Sequence, residues 1–345
     1  MDFEGTGGWP TILGALTARR DLDREVATAA MGEILSGGAT PAQIAAFAVA
    51  LRLKGETVEE LSGMVSAMLA AGERVDIDVD GPVIDVVGTG GDRAHTINVS
   101  TLSALVVAGA GGTVCKHGGR AASSSCGAAD LLEALGVVID LDPAGVARCV
   151  AEAGMGFCFA PRFHPAMRHA GPPRREIGIP TVFNFLGPLS NPGRVRRYLI
   201  GVADLSMAER MLGVLAANGA VRAMVVHGGD GLDELTTTGP SQVLELRDGA
   251  IEAYELDPAG LGLPTARRED LVGGTPEVNA EIARAVLAGK PGAPRDIVLL
   301  NAAAGLVVAG LVEDVAAGLV AAAEAVDSGA AAGVLDRLVE TSQGA

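Results

Sequence analysis

The sequence predicts an α/β protein: a small N-terminal helical domain, then a large α/β domain with a mostly parallel central sheet flanked by helices. Three observations carry that expectation. No strand-like segment occurs before residue 80. Beyond it, short β-branched runs alternate with Ala-rich helical stretches, the pattern of a largely parallel sheet covered on both faces. The chain has 345 residues, enough for two domains that bury their cores without disulfide or metal staples. The expected division is 1–78 for the helical domain and 79–345 for the α/β domain. Pro172-Pro173 and Gly187-Pro188-Leu189-Ser190-Asn191-Pro192 are the clearest breaks, so the chain is expected to cross between domains near 168–192.

Taken in order, Trp9, Ile12, Leu13 and Leu16 recur at helical spacing, and Asp21 to Ser36 is an Ala-rich run closed by Gly37-Gly38. Thr40-Pro41-Ala42-Gln43 places an N-cap, a proline at the first helical position and a Gln at the third, which starts a helix running through Leu53 to Gly55. Thr57-Val58-Glu59-Glu60 starts the next by the same logic, ending at Gly72. Val83 to Val87 reads as a strand, Leu102 to Ala108 as a helix and Thr113 to Cys115 as a second strand. Arg197 to Val202, Ala223 to Val226 and Ile297 to Leu300 are apolar runs of the same strand-like kind. The last of them opens a longer stretch, Ile297 to Val312, which is interrupted by Asn301. That stretch is short for a membrane span of about 20 residues and reads as a buried core helix.

Composition excludes several function classes. The formal charge is −16, from 26 basic and 42 acidic residues, the opposite of a duplex or anionic-membrane binder. Aromatic residues are 3% of the chain, too few for base-stacking platforms. Cys115, Cys126, Cys149 and Cys158 form no Cys-x-x-Cys pair, so a reduced compartment is expected. The first residues lack the charged and apolar regions of a signal peptide. The expectation is a cytoplasmic protein with no nucleic-acid or membrane partner.

Any anionic ligand must then be held by local devices, and the sequence offers four. Gly88-Thr89-Gly90-Gly91-Asp92 ends the first strand; its glycines permit positive φ and leave N–H groups uncovered, as a phosphate cradle requires. Its spacing is neither that of a dinucleotide fingerprint nor of a P-loop. Asn98-Val99-Ser100-Thr101 opens the next helix, where hydroxyls and free N–H groups bind anions or supply a metal ligand, besides plain capping. Lys116-His117-Gly118-Gly119-Arg120-Ala121-Ala122-Ser123-Ser124-Ser125 follows the second strand, with two cations, glycines and consecutive hydroxyls. Asp230-Gly231-Leu232-Asp233-Glu234 follows a later strand; its carboxylates suit Mg²⁺ shared with phosphate oxygens, or a solvated turn. His164, His169, Arg162, Arg168, Arg174 and Arg175 make a second positive cluster with no zinc-site spacing; within it Arg174-Arg175-Glu176, after a proline pair, is expected to present one guanidinium to a carboxylate. No nucleophile motif is present. Phosphate loops with paired carboxylates point to group transfer from a phosphorylated donor.

In this order and spacing the segments resemble the anthranilate phosphoribosyltransferase family. The matching pieces are Gly88 to Asp92, Asn98 to Thr101, Lys116-His117-Gly118, Arg174-Arg175-Glu176, Phe183 to Pro192, and His227-Gly228 through Asp233-Glu234. The resemblance implies Mg²⁺-dependent transfer of phosphoribose from 5-phosphoribosyl-1-pyrophosphate to the amine of anthranilate, within tryptophan biosynthesis. It also implies a fold similar to pyrimidine nucleoside phosphorylases and a homodimer formed through the helical domain. Carried over by position, the donor meets Gly88, Gly91, Asp92, Thr96, Asn98, Val99, Ser100 and Thr101. It also meets Lys116, His117, Gly118, Gly119, Arg120, Ala121, Ala122, Ser123 and Ser124. Ser100, Asp233 and Glu234 hold Mg²⁺, and Gly88 and Arg174 receive the acceptor.

One position departs from the family pattern, which reads Lys-His-Gly-Asn-Arg where this chain has Gly119. That departure motivates an alternative, the same transfer to a different aromatic amine. Two further alternatives are nucleoside phosphorolysis on the shared fold and a non-catalytic paralogue. The paired Asp233-Glu234 argues against phosphorolysis, which needs no metal-bound pyrophosphate.

Overall fold

The computed structural model describes residues 2–121 and 125–345. Four helices, α1 (Gly8–Thr17), α2 (Arg24–Ser36), α3 (Pro41–Lys54) and α4 (Val58–Ala71), open the chain. The expected start signals are formed: Thr40 with Gln43 and Thr57 with Glu60 each make a reciprocal capping box. Gly37 closes α2 in the left-handed conformation. The helices bury Ile34, Phe47, Leu51, Leu61 and Met64 completely against one another. Glu60 is buried too, and it is satisfied by the Lys54 ammonium and the N–H groups of Leu22 and Thr57.

The larger part of the chain then alternates. In order it runs β1 (Val83–Gly88), α5 (Val99–Gly109), β2 (Thr113–Gly118), α6 (Ala128–Ala134), α7 (Pro143–Ala153), β3 (Met155–Phe159), α8 (Ala160–Phe163), α9 (Gly171–Ile177), β4 (Arg197–Gly201), α10 (Ala208–Ala217) and β5 (Arg222–Gly228). It continues with β6 (Ser241–Arg247), β7 (Ala250–Leu256), α11 (Pro276–Leu287), α12 (Ala293–Ala309), α13 (Val315–Asp327) and α14 (Ala330–Gln343). The sheet has seven strands in the order β3-β2-β1-β4-β5-β6-β7. The first five are parallel, and β6 and β7 are antiparallel additions at one edge.

The step from β3 to β4 crosses over β2 and β1, and residues 160–196 make it. This crossover touches the helical part: α9 packs on α3, Glu73 N–H donates to the Phe163 carbonyl, and Val75 N–H donates to the Pro192 carbonyl.

Two sequence expectations need correction. Ile297 to Leu300 is no strand; it lies inside α12, which buries every residue from Ile297 to Ala309 between the sheet and its neighbouring helices. A fully apolar run carries no period, so a buried helix and a buried strand look alike in it. The sequence reading also passed over β3, β6 and β7. Met155 to Phe159 has few β-branched residues, β6 carries the buried Glu245 and ends on the exposed Arg247, and β7 carries the exposed Glu252 and Glu255.

Candidate active site

Four parallel strands end together at glycines: Gly88, Gly118, Gly201 and Gly228 close β1, β2, β4 and β5. Three of them are crowded by the loop after β5, and at Gly201 the obstacle is main chain. A Cβ on Gly201 would lie 1.6 Å from the Asp233 carbonyl oxygen, and one on Gly88 would lie 2.3 Å from Asp233 Oδ2. The loop after β5 is thereby laid across the ends of β1 and β4. Such strand ends are where ligands sit in open α/β sheets.

That loop is fixed from below. Leu235 N–H donates to Asn301 Oδ1 at 2.9 Å, and Asn301 Nδ2 donates back to the Leu235 carbonyl at 2.8 Å. Asn301 is the residue that interrupts the apolar run of α12; the interruption is visible in the sequence, and its role comes from this pairing. Asp230 does something else: its Oδ2 accepts from the Thr236 and Thr238 hydroxyls at 2.9 and 2.7 Å and ties the loop's own turn.

Glu234 is buried and Asp233 half-buried, and both face the glycine loop. Asp233 Oδ2 accepts from Gly90 N–H at 2.7 Å, and Glu234 Oε1 accepts from Ser100 N–H at 3.1 Å. Burial and the charge of Asp92 push the Asp233 carboxyl up to about 7. Burial and the charge of Asp233 push Glu234 well above the usual carboxylate range, with Lys116 opposing. Two adjacent carboxyls held this way constitute an unmet demand for positive charge.

The other described residues predicted for the donor lie in different environments. Gly90 and Gly91 have φ of 69° and 87°, as the cradle reading requires. Thr96 forms a bridge to Val272, and Ile97 N–H donates to the Leu271 carbonyl, so the back of the loop is pinned. Asn98 is committed on both sides: its Nδ2 donates to the Cys126 carbonyl at 3.0 Å and its Oδ1 accepts from Asn279 at 2.8 Å. The side chains of Val99 and Thr101 are buried, which limits them to main-chain groups toward a ligand.

Lys116 is buried, with its ammonium donating to the Val86 carbonyl and to Ser100 Oγ at 3.3 Å. Burial lowers its pKa against the charges of Asp85, Glu234 and Asp233. His117 sits edge-on to His164 at 5.1 Å, with Nδ1 at 3.0 Å from the Gly187 carbonyl. Burial and His164 depress it to about 3, so it is neutral at pH 7. Gly118 ends β2, and Gly119 follows with open space on its side-chain side. Arg120 turns to Asp130 and Glu133 on α6 and lies over the Phe159 ring at 5.4 Å. Ala121 N–H is taken by Asp130 Oδ2 at 2.9 Å. Ala122, Ser123 and Ser124 lie outside the described residues.

The second positive cluster separates into different environments. Arg162 pairs with Glu73, Arg168 donates to the Pro165 carbonyl, and His164 Nε2 lies 2.9 Å from the Ser190 carbonyl. His169 packs on Gly37, and Arg175 is exposed. Arg174 on α9 is half-buried, and burial lowers its pKa, yet it has no ion pair among the described residues. A half-buried guanidinium without a counter-charge is suited to a ligand carboxylate.

Comparison with known proteins shows the family. Residues 80–332 match the model of the glycosyl transferase family a/b domain, and residues 10–72 match that family's helical bundle domain. An anthranilate phosphoribosyltransferase of Salinispora arenicola is 54% identical, with 98% of each chain covered. The chain belongs to the anthranilate phosphoribosyltransferase family. The crystal structure of the Thermus thermophilus anthranilate phosphoribosyltransferase superposes with a TM-score of 0.91 at 42% identity, covering 96% of this chain and 99% of that one. The Saccharomyces cerevisiae anthranilate phosphoribosyltransferase in complex with 5-phosphoribosyl-1-pyrophosphate and Mg gives 0.89 at 28% identity, covering 98% of each. The yeast protein is also described in complex with 4-fluoroanthranilate.

For a member of the anthranilate phosphoribosyltransferase family, the donor set here fits a hard divalent cation. Among the described residues no three His, Cys, Asp or Glu side chains form a cage. Asp233 and Glu234 would therefore share the ion with substrate oxygens, the usual way Mg²⁺ is held in phosphoryl-bearing sites. No single described helix is long and apolar enough to cross a membrane.

Proposed function

We propose that this protein transfers the phosphoribosyl group of 5-phosphoribosyl-1-pyrophosphate to the amine of anthranilate, giving N-(5-phosphoribosyl)anthranilate and pyrophosphate, with Mg²⁺. The observation that carries the reading is the Asp233-Glu234 pair, half-buried and buried, held against the N–H groups of Gly90 and Ser100. When bound, Mg²⁺ supplies positive charge to the departing pyrophosphate.

The chain's own groups do the rest. Gly88, Gly91, Asp92, Thr96, Asn98, Val99, Ser100 and Thr101, with Lys116 to Ser124, form the donor side, and Ser100 joins Asp233 and Glu234 as a metal ligand. Among the donor residues, Lys116 brings a cation to the pyrophosphate side. Departure of pyrophosphate leaves an oxocarbenium-like ribose, and preorganised charges and main-chain dipoles stabilise that transition state. Arg174 receives the acceptor carboxylate, with Gly88 lining the pocket. The acceptor amine is neutral at pH 7 and needs no strong base. Support for the donor and metal assignments comes from the yeast relative bound to donor and Mg.

Gly119 supports a second reading, the same transfer to a more heavily substituted aromatic amine, because its side-chain direction is open as far as Ala160 Cβ at 4.0 Å. One experiment separates the two. Purified protein is mixed with the donor, Mg²⁺ and anthranilate, and loss of anthranilate fluorescence is followed together with pyrophosphate. Mg²⁺-dependent loss matched by pyrophosphate supports the first; donor binding without anthranilate consumption moves the assignment to another amine.

The same proposal includes the division at 78/79, a cytoplasmic location and a homodimer through the helical domain. An apolar groove of about 410 Å³ between α1 and α3, lined by Leu16, Ala46, Val49, Ala50 and Leu53, favours the dimer. Leu53 is 75% exposed there. Sedimentation equilibrium of the protein and of Leu53→Asp tests it; a monomer for both would remove the dimer.

A further inference from the structure

The parallel part of the sheet is not uniformly paired. β1 and β4 pair through five residues, Ile84 to Gly88 against Arg197 to Gly201, and β2 and β3 also pair through five, Val114 to Gly118 against Met155 to Phe159. β1 and β2 pair through two only, Val83 with Thr113 and Ile84 with Val114. Past that point side chains take over three main-chain groups of these strands. His117 N–H donates to Asp85 Oδ1 at 3.1 Å, the Cys115 carbonyl accepts from Asn191 Nδ2 at 2.8 Å, and the Val86 carbonyl accepts from the Lys116 ammonium.

Asp85 and Asn191 are joined to each other. Asn191 Nδ2 donates to Asp85 Oδ2 at 2.7 Å, while Asn191 Oδ1 accepts from Gly193 N–H at 2.8 Å. Both are buried. Buried polar groups are costly unless every partner is supplied, and here the partners come from the two strands, from the other member and from Gly193. Neither hydrogen-bonds to Asp233, Glu234 or Arg174, so the group transfer described above does not use them. Their position is informative: the ladder gives way just before β1 becomes the Gly88–Asp92 loop and β2 presents Lys116 and His117.

We propose that Asp85 and Asn191 are positioning residues, a polar wedge that replaces the β1–β2 ladder and sets how Lys116 and His117 stand against the Gly88–Asp92 loop. The wedge also ties that placement to the Gly187–Pro192 stretch of the crossover, because Asn191 belongs to it. The role rests on the phosphoribosyl-transfer reading. With the wedge broken, the main-chain groups it satisfies lose their partners, and the donor-binding groups shift relative to one another.

The test uses Asp85→Asn, which keeps size but sets an amide against the Asn191 amide, and Asn191→Ala, which leaves the carboxylate in place. In each folded variant the KM for the donor should rise about tenfold with kcat changed less. A merely structural defect lowers the active fraction and leaves KM alone. The double variant should be no worse than the poorer single one, because the same bond is lost in both. Hydrogen exchange at the amides of residues 115–118 should accelerate about tenfold in both, with β4 and β5 unchanged.

Unchanged exchange at 115–118, a donor KM within about twofold of the unmodified protein, or losses that multiply would each overturn the wedge. If Asp85→Asn does not fold, Asn191→Ala decides alone. If the unmodified protein transfers no phosphoribose, the functional reading fails, and exchange at 115–118 still decides the wedge.

Discussion

Asp233 Oδ2 accepts a hydrogen bond from Gly90 N–H at 2.7 Å, so a carboxylate from the loop after β5 rests on the glycine turn that ends β1. The two segments are separated by more than a hundred residues, and Asn301 beneath the loop holds the second against the first. A negative group on a cradle built for anions is the arrangement in which a divalent ion and a pyrophosphate share one set of donors.

Replacing both carboxylates, Asp233→Ala with Glu234→Ala, should lower turnover about 100- to 1,000-fold, the size of effect seen when a preorganised group that stabilises transition-state charge is removed. Cooperative unfolding should persist, because both carboxyls are pushed up rather than serving as ion-pair partners in the core. Anthranilate fluorescence and a thermal melt read the two halves. Near-normal turnover would remove the metal role.

Gly201→Ala places a methyl 1.6 Å from the Asp233 carbonyl, where only the loop can give way. We expect a stability loss of about 1–3 kcal/mol, the range for overpacking, and loss of Mg²⁺-induced thermal stabilisation. Gly32→Ala is the control: its methyl meets nothing within 4 Å on a helix, so it should gain roughly 0.5–1 kcal/mol. Equal melting behaviour for the two variants would contradict the packing argument.

Gly119 does not need a left-handed backbone, and its side-chain direction is clear to 4.0 Å. Gly119→Asn should therefore fold. If anthranilate is the acceptor, one added polar contact should lower its KM about fivefold, near 1 kcal/mol. Arg174→Ala should raise the acceptor KM by tenfold or more and leave the donor KM nearly unchanged, since hydrogen bonds to charged groups are worth about 1.5–3 kcal/mol. A donor KM that moves with Arg174 would place that residue on the wrong substrate.

His117 makes the fold sensitive to acid. Its folded pKa is depressed from 6.5 to about 3, by burial first and His164 second. Its stabilising contribution is complete above the unfolded value. Between pH 6.5 and 3 the unfolded chain takes up a proton that the folded chain refuses, so stability falls with pH by up to about 1.4 kcal/mol per unit. His117→Gln should flatten that part of the curve by close to one proton, as measured by urea unfolding at pH 7, 6, 5 and 4. An identical slope in both proteins would show that His117 titrates normally.

The local chemistry of the chain was legible in its sequence. Capping at Thr40 and Thr57 depends on residues three apart and forms as read. The glycines at 88, 90 and 91, the carboxylates at 233 and 234 and the Arg174-Arg175 pair were all visible as residue types in informative places, because strand ends and glycine turns are written locally. The tertiary structure decided which of those polar residues share one space. It separated Asp230 from Asp233, although three positions part them, because one side chain closes a turn and the other faces the cradle. It turned Arg120 toward α6 and committed Asn98 to Asn279 and Cys126. It made a helix of Ile297 to Leu300 and placed Asp85 beside Asn191 across more than a hundred residues. Hydrogen bonds and charges act over a few ångströms, whereas sequence patterns report only neighbours along the chain; distant partners are chosen by the packing that brings strands and crossovers together.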